Sequence, residues 1–323
     1  MVRRVGWRII HRNDGSIRRS RLLVAATLAL GGAVALAGCS GSANSSPTSS
    51  TGKLQVAAAE NFWGSIAAQL GGERVAVSSI IVNPNTDPHS YEPTASDGVT
   101  FATSQMAIVN GIGYDGWASK LLAANPSGGR VTLDVGGLLG LKDGDNPHQW
   151  YSPASVQRVI DQIVADYKRL DPKDSAYFDR QRTTFSTSAL AGYDRLRREI
   201  RARYAGVPVG YSESIFQPLG DDLGLKLVTP YSFAKAIAEG TDVSAADKQT
   251  VDRQAEAGAI KVWVYNSQNA TPDVQRVNQL ARAARIPIAT ITETLSPASA
   301  TFEQWQDAEL TRLRAALAQA TGR

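Results

Sequence analysis

The segment "LQVAAAENFWGSIAAQLGGERVAVSSIIV", residues 54–82, decides the fold class of this chain. Its two ends, residues 54–59 and 75–82, are short apolar runs of the kind that form buried strands. Residues 62–71 between them have the mixed apolar and polar spacing of an amphipathic helix. A strand–helix–strand unit joins parallel strands, so the segment predicts a parallel sheet covered by helices.

The same alternation of strands and helices continues to the end of the chain. Further strands are predicted over residues 106–110, 131–135, 207–211, 226–229, 261–265 and 287–292. Helices are predicted over residues 115–125 and 152–170, and the second has Ser152 as its N-cap and Pro153 at its first position. The strands therefore fall into two groups of four along the chain.

Residues 175–204, which lie between the two groups, contain no proline and a single internal glycine, and they end in a charged run. They predict one long helix with a broad polar face. The predicted fold is therefore α/β, with two lobes that are each a mainly parallel sheet flanked by helices, joined by one long rigid helix. We place the N-terminal lobe at 53–173, the linking helix at 174–205 and the C-terminal lobe at 206–323.

The first 52 residues predict export and membrane attachment. A basic cluster at 18–21 precedes an apolar run at 22–38, which is too short and too rich in Ala and Gly for a confident membrane span, so 1–38 is interpreted as a signal peptide. Its end, "LAGC" (36–39), looks like the bacterial lipoprotein box, which makes Cys39 the expected lipid attachment site. The Ser-rich residues 39–52 predict a flexible tether. We expect an extracytoplasmic protein anchored to the cell membrane by lipid.

The formal charge of +4 comes from the predicted signal peptide, residues 1–38. Seven of the 34 basic residues and one of the 30 acidic residues lie in residues 1–38, so the remainder carries 27 bases and 29 acids. A slightly acidic body gives no support to a nucleic-acid partner.

Four side chains of the body carry the predicted chemistry. His89 and His148 each follow a proline in a loop after a predicted strand, whereas Glu213 and Glu293 closely follow the strands 207–211 and 287–292. Ligands of α/β sheets settle at the carboxyl ends of strands, where all four residues fall. Two neutral imidazoles and two carboxylates suit a divalent cation such as manganese, iron or zinc. Taken singly, each residue is more often a solvated or capping group than a metal ligand.

Three motifs show a resemblance to a known family. "DPHSYEPTASD" (87–97), "NPHQWYSP" (146–153) and "ETLSP" (293–297) resemble the metal-binding solute receptors of ABC importers for zinc and manganese. The likeness runs from about residue 54 to the C-terminus. It implies two α/β lobes joined by a rigid helix, with the metal in the cleft between them.

The resemblance also implies which residues bind the ion. It assigns His89 and His148 from the first lobe and Glu213 and Glu293 from the second as the metal ligands. It implies a monomeric, non-enzymatic receptor that captures Mn²⁺, Fe²⁺ or Zn²⁺ and delivers it to a permease and ATPase for import. Two carboxylates favour manganese or iron over zinc, since tight zinc sites prefer nitrogen and sulfur donors.

Two other classes of protein were weighed. "GIGYDG" (111–116) matches the G-x-G-x-x-G of dinucleotide-binding folds, but it follows the third strand rather than the first. A metal-dependent hydrolase using the same cleft is the second alternative. It needs an open coordination position and a nearby base. Four protein ligands leave little room for water, and the chain contains neither G-x-S-x-G nor H-E-x-x-H.

Overall fold

Two four-stranded parallel sheets form the framework of residues 52–86, 88 and 91–323, which are the part of the chain that the computed structural model describes. The predicted signal peptide, Cys39 and most of the tether lie outside these residues, and so does His89. Within the described residues, no helix is long and apolar enough to cross a membrane.

The first sheet contains the strands β1 (Leu54–Glu60), β2 (Val75–Ile81), β3 (Met106–Val109) and β4 (Val131–Asp134) in the order β2-β1-β3-β4. The second sheet contains β5 (Pro208–Tyr211), β6 (Lys226–Leu227), β7 (Val262–Asn266) and β8 (Ile288–Ile291) in the order β6-β5-β7-β8. The two sheets thus share one topology, and all the strands within each are parallel. The eight predicted strands and the predicted fold class are confirmed.

Helices cover these sheets. In chain order they are α1 (Asn61–Gly71), α2 (Ala95–Thr103), α3 (Gly116–Ala124), α4 (Val135–Leu139), α5 (Pro153–Leu170), α6 (Ser175–Thr184), α7 (Ala191–Tyr204), α8 (Gln217–Asp222), α9 (Tyr231–Ala238), α10 (Ala245–Glu256), α11 (Pro272–Ala283) and α12 (Phe302–Thr321). Short 3-10 helices occupy Gly72–Arg74, Gln149–Tyr151, Pro172–Asp174 and Ser214–Phe216. Ser152 caps α5 as predicted, because its side chain accepts a hydrogen bond from the Ser155 amide.

The opening segment folds as β1, α1 and β2. Phe62, Trp63 and Ile66 of α1 are fully buried against the sheet. Gly64 allows the close approach of α1 to β2, because a Cβ at this position would lie 2.0 Å from Ser79 Oγ. The predicted strand–helix–strand unit is therefore present, and α1 packs tightly against the sheet.

The segment predicted as one long helix contains an interruption. A π-helical turn, Phe185–Ala189, separates α6 from α7. The hydroxyls of Thr183 and Thr187 donate to the carbonyls of Asp179 and Thr183, which lie four residues earlier. Such hydroxyls compete with the regular helical hydrogen bonds and locally loosen them.

One continuous apolar core joins the two sheets. It includes Val56 and Ile108 of the first sheet and Val209 and Val264 of the second. Helix α12 packs against both halves. Its first amide, Phe302 N, donates to Ser65 Oγ of α1 at 2.9 Å, and Arg314 forms an ion pair with Glu199 of α7 at 2.9 Å. The final helix therefore contacts α1 of the first half and α7, and it also packs against β7 and β8 of the second sheet.

Candidate metal site

Three of the four predicted ligands meet between the two sheets. Glu213 and Glu293 each lie two residues beyond the end of a strand, β5 and β8 respectively, and His148 lies in the loop between α4 and α5. All three are buried, with 0%, 7% and 0% of the surface of Glu213, Glu293 and His148 exposed. The His148 Nε2 atom is 3.6 Å from Glu293 Oε1. Two carboxyl groups and one imidazole are thus buried in the same part of the protein, where polar groups need hydrogen-bond or ionic partners.

His89, the fourth predicted ligand, lies outside the described residues, and its place at the site stays a prediction. In the described part of the chain, no three His, Cys, Asp or Glu side chains are spaced to hold a metal ion by themselves. A neutral amide, that of Asn266, instead lies between the two carboxylates. Its Nδ2 atom donates to Glu213 Oε2 at 2.7 Å and to Glu293 Oε1 at 3.2 Å.

Hydrogen bonds hold His148 in the tautomer that metal binding requires. Its Nδ1 lies 2.7 Å from Asn146 Oδ1. The Asn146 amide nitrogen donates to Ser214 O at 2.8 Å, so its oxygen must face the imidazole. Nδ1 therefore donates to Asn146, and the other ring nitrogen, Nε2, faces Glu293. An imidazole oriented through its other nitrogen is the usual arrangement at metal sites.

The two carboxylates are held as firmly as the imidazole. Glu213 Oε1 accepts from the Asn269 amide, and Asn266 holds the other oxygen. Glu293 Oε2 accepts from the Tyr114 hydroxyl at 2.8 Å. Because Tyr114 belongs to the turn after β3, this bond joins the first half of the chain to a predicted ligand of the second.

Aromatic rings form the wall of the site in the first half. Phe62 stacks on Trp150 with ring centroids 3.9 Å apart, and the His148 ring lies edge-on to Trp150 at 5.3 Å. Behind them, Asn110 accepts from Trp63 Nε1 at 3.0 Å and donates to Pro147 O at 3.0 Å. The loop that carries His148 is thereby fixed in a region of low polarity, which strengthens electrostatic interactions within it.

A second pair of buried carboxyl groups lies at the same edge of the first sheet. Burial, and then the charge of Asp115, raises the pKa of Glu60 well above its usual range. Burial raises the pKa of Asp115 to about 6, against the lowering effect of the Asn110 and Gly111 amides. These amides donate to Asp115 at 2.7 and 2.8 Å. Gly111 opens the "GIGYDG" turn and Asn110 directly precedes it, so a carboxylate of the protein itself binds backbone amides that a dinucleotide phosphate would require.

A small cavity of about 120 Å³ reaches His148 from the surface. Its lining includes Ser214 and Tyr231 of the second half and Gly144 of the first. At its rim, the Lys235 ammonium donates to Gly144 O at 3.0 Å, which is a direct bond between the two halves. The halves therefore contact each other through a polar bond beside this cavity.

The sequence patterns missed the polar residues that support the predicted ligands. Tyr114, Asn146, Asn266 and Asn269 were not singled out, although Asn266 lies at the end of a predicted strand, where ligand-binding side chains gather. The partners of a side chain depend on which strands are neighbours, and chain order alone does not state this.

The chain is similar in sequence to proteins that are named for the metals they bind. The chain is 25% identical over 197 residues to "Iron-binding protein YfeA" of Yersinia pestis, a match that covers 58% of this chain and 62% of that protein. It is 29% identical over 144 residues to "Manganese-binding lipoprotein MntA" of Halalkalibacterium halodurans, a match that covers 43% of this chain and 47% of that protein. The matched regions span less than two thirds of the length of these relatives.

The fold is that of solved metal-binding proteins. The Mn-bound periplasmic metal binding protein of Candidatus Liberibacter asiaticus superposes with a TM-score of 0.67 at 19% identity, over 82% of this chain and all of that one. Residues 56–316 match the family described as "Zinc-uptake complex component A periplasmic". Because this match covers well over half of the chain, the protein belongs to that family of metal-binding components of ABC importers.

Proposed function

We propose that this protein captures a divalent transition-metal cation outside the cytoplasmic membrane and delivers it to the permease of an ABC importer. The observation that carries the proposal is the convergence of His148, Glu213 and Glu293 between the two sheets. An oriented imidazole nitrogen and two buried carboxylates form a set of ligands that a divalent cation neutralises. His89, in the first motif, supplies the fourth ligand.

The ligands come from both halves of the chain. His148 lies on the first half, and Glu213 and Glu293 follow strands of the second. An ion held by all of them links the halves and stabilises the folded protein by mass action, by about 2.7 kcal/mol at a free metal concentration a hundredfold above Kd. Release to the permease then requires that these cross-half bonds break.

The set of ligands favours manganese or iron over zinc. Two carboxylates provide up to four oxygens, which suits the five- or six-coordination of Mn²⁺ and Fe²⁺ better than the four-coordinate nitrogen and sulfur sites typical of zinc. The names of the relatives include an iron-binding, a manganese-binding and a zinc-uptake protein, so the preference rests on the set of ligands alone. Because affinities for almost any such site rise from Mn²⁺ to Zn²⁺, the supply of metal in the cell decides what is carried.

Family membership argues against an enzyme. The family consists of substrate-binding receptors of ABC importers, and the metal-dependent hydrolase has no support among the relatives. Attachment through a lipid on Cys39 would keep the receptor beside its permease. This anchor, the monomeric state and the permease and ATPase partners belong to the proposal.

Uptake in cells tests the function. Deletion of the gene should reduce accumulation of manganese or iron at low external concentration, and the intact gene should restore it. Metal analysis of protein purified from its own organism, with competition titrations, identifies the cargo. Unchanged uptake of all three metals, together with a purified protein that binds none of them, would contradict the proposal.

A further inference from the structure

Asn266 is placed at the predicted metal site by the strand order of the second sheet. Strand β7 lies between β5 and β8, and Asn266 is its last residue. The register pairs Tyr211 with Val264, so Glu213, two residues further on, lies level with Asn266. On the other side Asn266 pairs with Ile291, two residues before Glu293. We propose that Asn266 is the positioning residue that holds both acidic ligands in place for the cation, an inference that rests on the proposed function.

The orientation of the Asn266 amide is determined by its other bonds. Its Oδ1 accepts from the Gln268 backbone amide at 3.0 Å, and its own backbone N donates to Ser212 Oγ at 3.1 Å. The nitrogen end of the amide must therefore face the carboxylates. Its two hydrogens match two acceptors, Glu213 Oε2 and Glu293 Oε1. The side chain is fully buried, so water does not replace these bonds.

The two carboxylates need such a donor because they lie close together. The oxygens that accept from Asn266 Nδ2, at 2.7 and 3.2 Å, are at most 5.9 Å apart, since the two distances share one nitrogen. Two buried anions at this separation repel each other. A shared amide hydrogen-bonds to both carboxylates and offsets this repulsion.

The residue type matters as much as its place. A lysine or arginine would also hold the carboxylates, but its charge would compete with the metal ion. An aspartate would add a third anion and donate no hydrogen bond. An asparagine orients two ligands and leaves their combined charge unchanged, which is the role that supporting residues have around metal sites.

Asn269 bonds to only one of the two carboxylates and therefore serves as a comparison for Asn266. Its amide donates to Glu213 Oε1 and to Ile237 O, the latter at 3.2 Å, so it supports one carboxylate rather than both. The proposal therefore predicts that loss of Asn269 weakens metal binding less than loss of Asn266.

The test measures Mn²⁺ affinity of the full chain, stripped of metal by a chelator, in competition with a chromophoric chelator. Asn266→Ala should raise Kd by roughly 10- to 100-fold, the usual effect of removing a residue that supports a metal ligand. Asn269→Ala should raise Kd by less. The Mn²⁺ electron paramagnetic resonance spectrum should change in Asn266→Ala, because the carboxylates shift around the ion. If Asn266→Ala does not fold, Asn266→Ser, which is too short to reach either carboxylate, takes its place.

A double-mutant cycle separates positioning from general stability. If Asn266 acts through Glu293 as well as Glu213, its loss should raise Kd by a smaller factor in a Glu293→Gln background than in the wild type. An equal factor in both backgrounds, or an unchanged Kd in Asn266→Ala while Glu213→Ala and Glu293→Ala abolish binding, would overturn the inference and leave the proposed function standing. A wild-type protein that binds no metal would instead overturn the function.

Discussion

Glu309 of α12 offers the sharpest quantitative test of the structure. The side chain is buried and accepts from Tyr151 Oη at 2.5 Å, Trp305 Nε1 at 2.9 Å and Thr292 Oγ1 at 3.0 Å. Burial raises the pKa of Glu309 to about 7, against the lowering effects of the Tyr151 hydroxyl and the Arg312 charge. Thr292 directly precedes Glu293, so this network also supports the loop that carries a predicted ligand.

The pKa of Glu309 makes stability depend on pH. A carboxyl with a raised pKa in the folded state stabilises the fold while it is protonated. That contribution is complete below its ordinary pKa of 4.5 and is lost as the pH rises through about 7. The difference between the ordinary pKa of 4.5 and the folded-state pKa of about 7 corresponds to about 3 kcal/mol in the free energy of unfolding. About 2.5 kcal/mol of this contribution is lost between pH 5 and pH 8.

The perturbation is Glu309→Gln, which keeps the shape and the hydrogen bonds of the neutral acid. We expect the variant to match the wild type within about 1 kcal/mol at pH 5 and to exceed it by about 2–3 kcal/mol at pH 8. In thermal melts the advantage at pH 8 corresponds to roughly 5–10 °C. The groups at Glu60 and Asp115 are present in both proteins, so their contributions cancel in the comparison.

The assay is urea denaturation of chelator-treated protein at constant ionic strength between pH 5 and 8. Glu256→Gln, on an exposed position of α10, is the matched control and should follow the wild-type profile. If Glu309→Gln and the wild type differ in stability by the same amount at every pH, or if the variant is the less stable protein at pH 8, burial does not raise the pKa of Glu309 as described.

Three further predictions concern the site. Tyr114→Phe removes the hydroxyl that donates to Glu293 and should raise the Mn²⁺ Kd roughly tenfold. The control is Tyr177→Phe, which removes a hydroxyl that accepts from Glu73 N and should leave the Kd unchanged. Equal Kd values for the wild type and both variants would mean that Tyr114 does not support metal binding. Lys235→Met removes the hydrogen bond to Gly144 O between the halves and should speed metal dissociation, measured by stopped flow. The control is Lys261→Met, whose bond to Gly258 O lies within the second half, and it should leave the dissociation rate unchanged. Identical dissociation rates for the two variants would show that the Lys235 bond does not restrain metal release. The double change His89→Ala and His148→Ala should abolish the rise in melting temperature caused by Mn²⁺, and a full rise in this variant would mean that the ligands are wrongly assigned.

Much of the fold could be predicted because its signals are local. The apolar run 54–59 and the start signal at Ser152 and Pro153 each depend on neighbours within a few residues, and both lie where they were expected. The turn at Phe185–Ala189 was missed because a π-helical turn keeps the composition of a helix and changes only which carbonyl each amide bonds.

The sequence indicates part of the candidate site. Glu213 and Glu293 stand out by their positions after strands, and His148 by its motif. The structure buries all three, with Glu293 close to His148 and joined to Glu213 through Asn266, and their role as metal ligands stays a prediction. Asn266 and Glu309 could not be identified in this way. The position of Asn266 between two acids follows from the pairing of β7 with both β5 and β8. Glu309 lies in the polar stretch "QWQDAEL", where nothing in the spacing marks it as buried.

Anomalous diffraction from crystals grown with Mn²⁺ tests the central claim most directly, because it locates the ion independently of any assumed ligand. A single strong peak is expected between the two sheets, at coordination distance from nitrogen or oxygen atoms of His89, His148, Glu213 and Glu293. A peak elsewhere on the protein, or an ion bound by residues of one half alone, would contradict it.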